Sequence, residues 1–197
     1  MRKIVILTFL TLDGVMQAPG GKGEDPSDHF GLEGWSVPYF DEATGVEMGK
    51  QMGVPFDLLL GRKTYDVFAS YWPHQEGFNP INTARKYVVT SRPFSMEWKE
   101  TLPIQGDVVG EIRKLKQQDG PMLQVHGSSQ LIQTLLANDL ADELWLKIFP
   151  VVLGKGKRLF GSGAVPAAYQ LTGSTVTPSG ILVAAYQRAG EVQLGSF

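Results

Sequence analysis

Three stretches of this sequence place small, hydroxyl or cationic residues directly behind a short apolar run. Gly61-Arg62-Lys63-Thr64 follows FDLLL, Thr90-Ser91-Arg92 follows KYVV, and Gly127-Ser128-Ser129-Gln130 follows MLQVH. Such residues suit an anion. A glycine lets backbone approach closely, the first turn of a following helix offers unpaired N–H groups, and a guanidinium fork matches phosphate oxygens. The continuous apolar character of Leu58, Leu59 and Leu60 reads as a strand buried on both faces of a mainly parallel sheet. Ligands of open α/β sheets lie beyond the carboxyl ends of their strands, so Arg62 and Arg92 are expected to converge on one phosphate of a bound cofactor. The competing reading of each stretch alone is a strand-to-helix turn with solvated cations.

Proton transfer needs another group. A helix over residues 41–52 would start with Asp41 and Glu42. Either carboxylate, aimed into an apolar pocket, would be desolvated, with a raised pKa suited to proton donation. Acids at a helix start also simply complement its dipole. Trp35, Tyr39 and Phe40 lie in a long Gly- and Pro-rich segment, residues 13–40, and Tyr65 opens the helix after Gly61. These aromatics would wall a pocket for a flat substrate, or else pin the segment to the core. His126 reads as a hydrogen-bonded residue at a strand end, and His29 and His74 have no metal-ligand spacing, so no metal is expected. Without cysteine there is no disulfide and no thiolate nucleophile, which suits a cytoplasmic protein. The glycine-rich turn over 153–160 fits neither a P-loop nor a dinucleotide fingerprint, and Lys155, Lys157 and Arg158 read as solvated.

The elements that must hold these residues form one domain over 1–197. Strands are expected at 3–10, 86–90, 122–126 and 142–152, with a closing hairpin of 169–177 and 181–188 around Pro178-Ser179-Gly180. Helices are expected at 41–52, 65–71, 107–118 and 131–137, and residues 80–84 read as a loop. A net charge of -2 and a pI of about 5.9 argue against a nucleic-acid partner or an anionic membrane surface. The N-terminal run MRKIVILTFL reads as a core strand rather than a leader, and no run approaches the roughly 20 apolar residues of a membrane span.

Five blocks in order carry a resemblance over nearly the whole chain: TLDG (11–14), LLGRKTYD (59–66), VVTSR (88–92), HGSSQL (126–131) and DELWLKIFPVVLGKGKRLF (142–160). The arrangement resembles dihydrofolate reductases and, more closely, the reductase domain of the bifunctional riboflavin-biosynthesis deaminase/reductase. The resemblance implies a three-layer αβα fold with a mainly parallel sheet of about eight strands and antiparallel C-terminal strands. It implies NADPH across the strand ends and hydride transfer to a small pterin- or pyrimidine-like substrate, as in 5-amino-6-(5-phosphoribosylamino)uracil reductase or dihydrofolate reductase. By position, Arg62, Ser91 and Arg92 would meet the adenosine 2′-phosphate, Lys63 and Thr64 the phosphate region, and residues 127–130 the pyrophosphate. The resemblance also implies a homodimer. Two departures stand out. His126-Gly127 replaces a glycine pair, and Asp41 and Glu42 do not match the spacing of the dihydrofolate reductase carboxylate. A nucleotide-binding module without turnover, or a purely structural homodimer, would use the same cradle differently.

Overall fold

The first strand, β1 (Ile4–Thr11), is buried along almost its whole length because it is covered on both faces and paired on both edges. It runs parallel to β5 (Met122–His126) on one side and β6 (Glu143–Phe149) on the other. Beyond β5 lie β2 (Phe56–Gly61), β3 (Lys86–Val89) and β4 (Thr101–Ile104), all parallel. Beyond β6, β8 (Leu182–Gly190) and β7 (Ala168–Val176) close the sheet antiparallel. The order of the eight strands is β4-β3-β2-β5-β1-β6-β8-β7. This computed structural model describes residues 1–75, 79–94 and 96–196.

Alternation along the strands separates two faces. Ile4, Ile6, Leu59, Leu123, Val125, Leu144 and Leu146 share one face with Ile112 and Leu115 of α4 (Val108–Gln117) and the buried leucines of α5 (Ser129–Ala137). On the other face Phe56, Leu58, Leu60 and Val88 pack with Tyr65 of α2 (Arg62–Tyr71). The helix α1 (Glu42–Met52) also lies on this side, yet Thr44 is its one buried residue.

Two elements escaped the sequence reading. Residues Pro80–Thr83 form a single helical turn, α3, capped by Asn79, whose side chain accepts the Ile81 N–H. The β4 strand exposes Leu102 and Pro103, a pattern tolerated at the sheet edge because no described residue pairs beyond it. The expected strand over 142–152 stops at Phe149, since Pro150 has no N–H to give a ladder.

The long segment after β1 is held by polar contacts. Asp13 accepts the amides of Leu153 and Gly154 at 3.2 and 2.9 Å, and the Gln17 carbonyl accepts the Trp35 indole N–H at 2.7 Å. Lys157 pairs with Asp25, and Arg158 lies 3.3 Å from Asp13. Those two cations are therefore fastened to the segment rather than solvated, which corrects the sequence expectation.

Candidate cofactor and substrate site

The carboxyl ends of β2, β3 and β5 bring the three predicted turns to one edge. Gly61 and Val89 are register partners, so Arg62 and Thr90 leave adjacent strands at the same level. The β5 turn is joined to them by a side chain. Ser128 Oγ accepts the Gly61 N–H at 2.9 Å and donates to Thr64 Oγ1 at 2.8 Å. The approach is close enough that a Cβ on Gly61 would stand 3.3 Å from Ser128 Cβ. Gly127 and Ser128 both have left-handed backbones, with φ of 57° and 63°, which turns the chain sharply into α5. In consequence the first turns of α2 and α5, whose leading N–H groups lack intrahelical partners, face the same edge.

The cations are positioned unequally. Arg62 lies over the Phe94 ring at 4.5 Å while its Nε is gripped by both Asp66 oxygens at 2.7 and 2.9 Å. That leaves the outer edge of a fixed, stacked guanidinium for an anion. The Thr90 hydroxyl accepts the Arg92 amide at 3.2 Å and donates to the Arg92 carbonyl at 2.9 Å, fixing a tight turn with Ser91 and Arg92 exposed. Lys63 is mostly exposed and stands 3.9 Å from Asp25. Gln130 is exposed on the first turn of α5, and Ser129 is partly buried beside it. Gly61, Thr64, Gly127 and Ser128 are thus joined directly, and the residues around Thr90 approach them through the Arg62–Phe94 stack.

The expected proton donors are arranged differently. Asp41 is the N-cap of α1: its carboxylate accepts the Thr44 hydroxyl and amide, both at 2.7 Å, and the Ser179 amide at 2.9 Å. These hydrogen bonds, the Thr44 hydroxyl foremost, hold its pKa well below the usual aspartate value. This corrects the raised pKa expected from an apolar pocket. Glu42 is exposed on the first turn of α1.

The aromatic residues also divide. Trp35 is 7% exposed and packs edge-on against Phe149, so it pins the segment to the core. Tyr65 is 3% exposed between Phe94 and Trp98, which leaves it no face for a substrate. These two expectations of a pocket wall are corrected by burial. Phe40 keeps 43% of its surface exposed and meets Phe9 at 5.6 Å, and Tyr39 lies 6.2 Å from Phe149.

Beneath α1, beside the cradle, sits a polar group that joins His126, the strand-end residue expected to be hydrogen-bonded, to Gln51, Gln124 and Lys147, which sequence reasoning passed over. The His126 Nε2 lies 3.0 Å from Gln124 Oε1, so the network assigns the ring proton to that nitrogen. Gln124 Nε2 in turn donates to the Gln51 carbonyl at 3.0 Å. Lys147, 3% exposed, donates to Gln51 Oε1 and stands over the Phe9 ring at 5.6 Å. Burial pushes Lys147 down to about 8, and burial together with Lys147 pushes His126 down to about 3. A signal existed: Lys147 shares its strand phase with Phe149, an inward position where a lysine is out of place. Among the described residues no group of His, Asp or Glu has the arrangement of a metal site, and no helix is long and apolar enough to cross a membrane.

A mainly parallel eight-stranded sheet, an antiparallel C-terminal pair and a cradle at the strand ends define a dihydrofolate reductase-like α/β domain. Solved structures share it. A putative riboflavin biosynthesis protein from Shewanella sp. PV-4 superposes with a TM-score of 0.64 at 20% identity, covering 95% of this chain and 99% of that one. Dihydrofolate reductase from Enterococcus faecalis, complexed with NADP(H), superposes with a TM-score of 0.60 at 14% identity, covering 94% and 96%. The uncharacterized protein YyaP of Bacillus subtilis is 28% identical over 167 residues, 81% of this chain and 80% of its own length. The sequence matches the RibD C-terminal domain over residues 2–183, and the chain belongs to that reductase-type family.

Proposed function

We propose that this protein is an NADPH-dependent reductase that delivers hydride to a small, heterocyclic, pterin- or pyrimidine-like substrate. The observation that carries the reading is the Ser128 bridge. It sets two helix N-termini side by side and places a stacked, fixed Arg62 next to them. The residues present fit a phosphorylated dinucleotide. The turns at Gly61–Thr64 and 127–130 would receive the pyrophosphate, and Arg62, Ser91 and Arg92 the 2′-phosphate. Bound there, the cofactor supplies a hydride from its nicotinamide ring. The protein's own work is to hold the phosphates, exclude water and orient the substrate within the roughly 3–3.5 Å that transfer requires. The half-exposed Phe40, packed edge-on against Phe9, offers a flat ring an apolar face.

The test is NADPH titration by nucleotide fluorescence, then NADPH oxidation against a panel of pterins, pyrimidines and quinones. Tight NADPH binding with turnover of one acceptor is the expected result. Binding without oxidation of any would favour a nucleotide-binding module, and no binding would end the reading.

We further propose a homodimer. Nearly all of β7 is exposed, with Leu171 and Val176 at 50% and 68%, an edge that a second copy would cover. Light scattering at micromolar concentration is expected to give twice the chain mass, and a monomer would count against it.

A further inference from the structure

Lys147 is buried in the middle of the sheet without an acidic partner. Its register neighbours are Phe9 on β1 and Val183 on β8. Of the elements around it, α1 contributes the neutral Gln51, β5 the neutral His126, and β1 an aromatic ring. The acid on α1 one turn before Gln51, Glu47, is paired with Lys50 at 2.6 Å. Among the described residues, no carboxylate lies within ion-pair distance of Lys147. Burial without a counter-charge is costly, and nothing in the packing requires it, since a methionine would fill the same volume.

Among the described residues, Lys147 makes one hydrogen bond to another side chain, and it is informative. An ammonium carries three donors, and here one of them goes to a carboxamide oxygen, the Gln51 Oε1. Gln51 belongs to the helix that buries a single residue, so its carboxamide can be displaced without unpacking a core. We propose that Lys147 is the residue that meets the reducible end of the substrate, with a carbonyl oxygen or imine nitrogen taking the place now held by Gln51 Oε1. The inference rests on the reductase reading above and names its acceptor class: a flat C=O or C=N compound with a lone pair turned toward the sheet. It also supplies the proton source that Asp41, engaged as a cap, does not. The acceptor carbon gains the hydride and its two electrons from the reduced nicotinamide. The C=O or C=N π bond opens, and its oxygen or nitrogen takes a proton from the Lys147 ammonium. The resulting amine is reprotonated from water.

Two measurements test this. In the first, the wild-type protein without cofactor is treated at pH 7 with pyridine-3-carbaldehyde and cyanoborohydride, and the modified lysines are located by mass spectrometry. A neutral amine forms the Schiff base, so an accessible Lys147 is expected to be labelled about tenfold faster than the exposed lysines. An unlabelled Lys147 beside labelled surface lysines overturns the proposal without touching the reductase reading. In the second, Lys147→Met is compared with wild type in NADPH binding and in menadione reduction. The expected result is unchanged NADPH affinity with turnover lowered about 100-fold, together with loss of the fall in turnover through about pH 8 expected of the wild type. Retained turnover with an unchanged pH profile overturns the proposal. A labelled Lys147 in a protein that neither binds nor oxidises NADPH would end the reductase reading and leave Lys147 as a carbonyl-binding site.

Discussion

Ser128 Oγ stands 2.9 Å from the Gly61 amide, and this one contact ties the turn after β2 to the turn after β5. The two turns come from segments 67 residues apart, and each supplies one half of the cradle. Gly61→Ala would place a methyl 3.3 Å from Ser128 Cβ, so Ser128 would have to give by a few tenths of an ångström. We expect a loss of about 1 kcal/mol in stability and a weaker grip on NADPH. Ser128→Ala removes the acceptor of the Gly61 N–H at a similar cost of about 1 kcal/mol. Urea denaturation and nucleotide titration measure the two effects, and unchanged affinity in both variants would remove the cradle from cofactor binding.

Cofactor preference tests the cations. Arg62 and Arg92 follow adjacent parallel strands, and Arg62 is held by Asp66 and Phe94. Charge-assisted hydrogen bonds are worth about 1.5–3 kcal/mol each, roughly ten- to a hundred-fold in affinity. Arg92→Ala should therefore weaken NADPH by about ten- to a hundred-fold while leaving NADH nearly unchanged. Added salt should shrink the preference more in wild type than in the variant. Equal affinities for both nucleotides in the wild type would refute the placement on a 2′-phosphate.

Asp41 makes a pH prediction. Its folded pKa lies below the usual 3.8, so its contribution to stability is complete above that value and is lost as the pH falls toward the depressed one. Asp41→Asn should melt below wild type at neutral pH, and the two melting temperatures should converge as the pH drops below 3.8. A constant gap down to low pH would show that the cap does not depend on the charge.

Lys86 predicts a rise of stability with pH in the alkaline range. It is fully buried, donates to the carbonyls of Asn82 and Lys99 at 2.7 and 3.1 Å, and lies over Trp98. Burial pushes its pKa from 10.5 down to about 8. Between those values the unfolded chain binds more protons than the folded one, so stability should rise with pH across that window. Lys147 is shifted the same way and adds to the slope. Thermal melts at pH 8 to 10.5 should show a steeper rise in wild type than in Lys86→Met, and parallel slopes would contradict the burial of a charged amine there.

Seven of the eight strands, the longer helices on either side of the sheet and the three turns at its carboxyl edge were legible in the sequence alone. These are local properties: Leu58–Leu59–Leu60 reads as a doubly buried strand, and a glycine or hydroxyl before a helical pattern reads as a cradle wherever the segment ends up. Strand β4 and the single turn at Pro80–Thr83 were not legible, because one is an edge with Pro103 and the other is too short for a periodic signal.

Which residues share a site was decided only by the tertiary structure. Asp41 and Trp35 look catalytic or pocket-forming by type, but Ser179 and Phe149, each more than a hundred positions away, engage the second oxygen of the Asp41 cap and draw Trp35 into the core. Lys147 shares the strand phase of Phe149, but only pairing with β1 and β8 buries it and only α1 lays Gln51 across it. Burial and long-range hydrogen bonding set the energy of a charge, and neither is a property of the residues beside it in the chain.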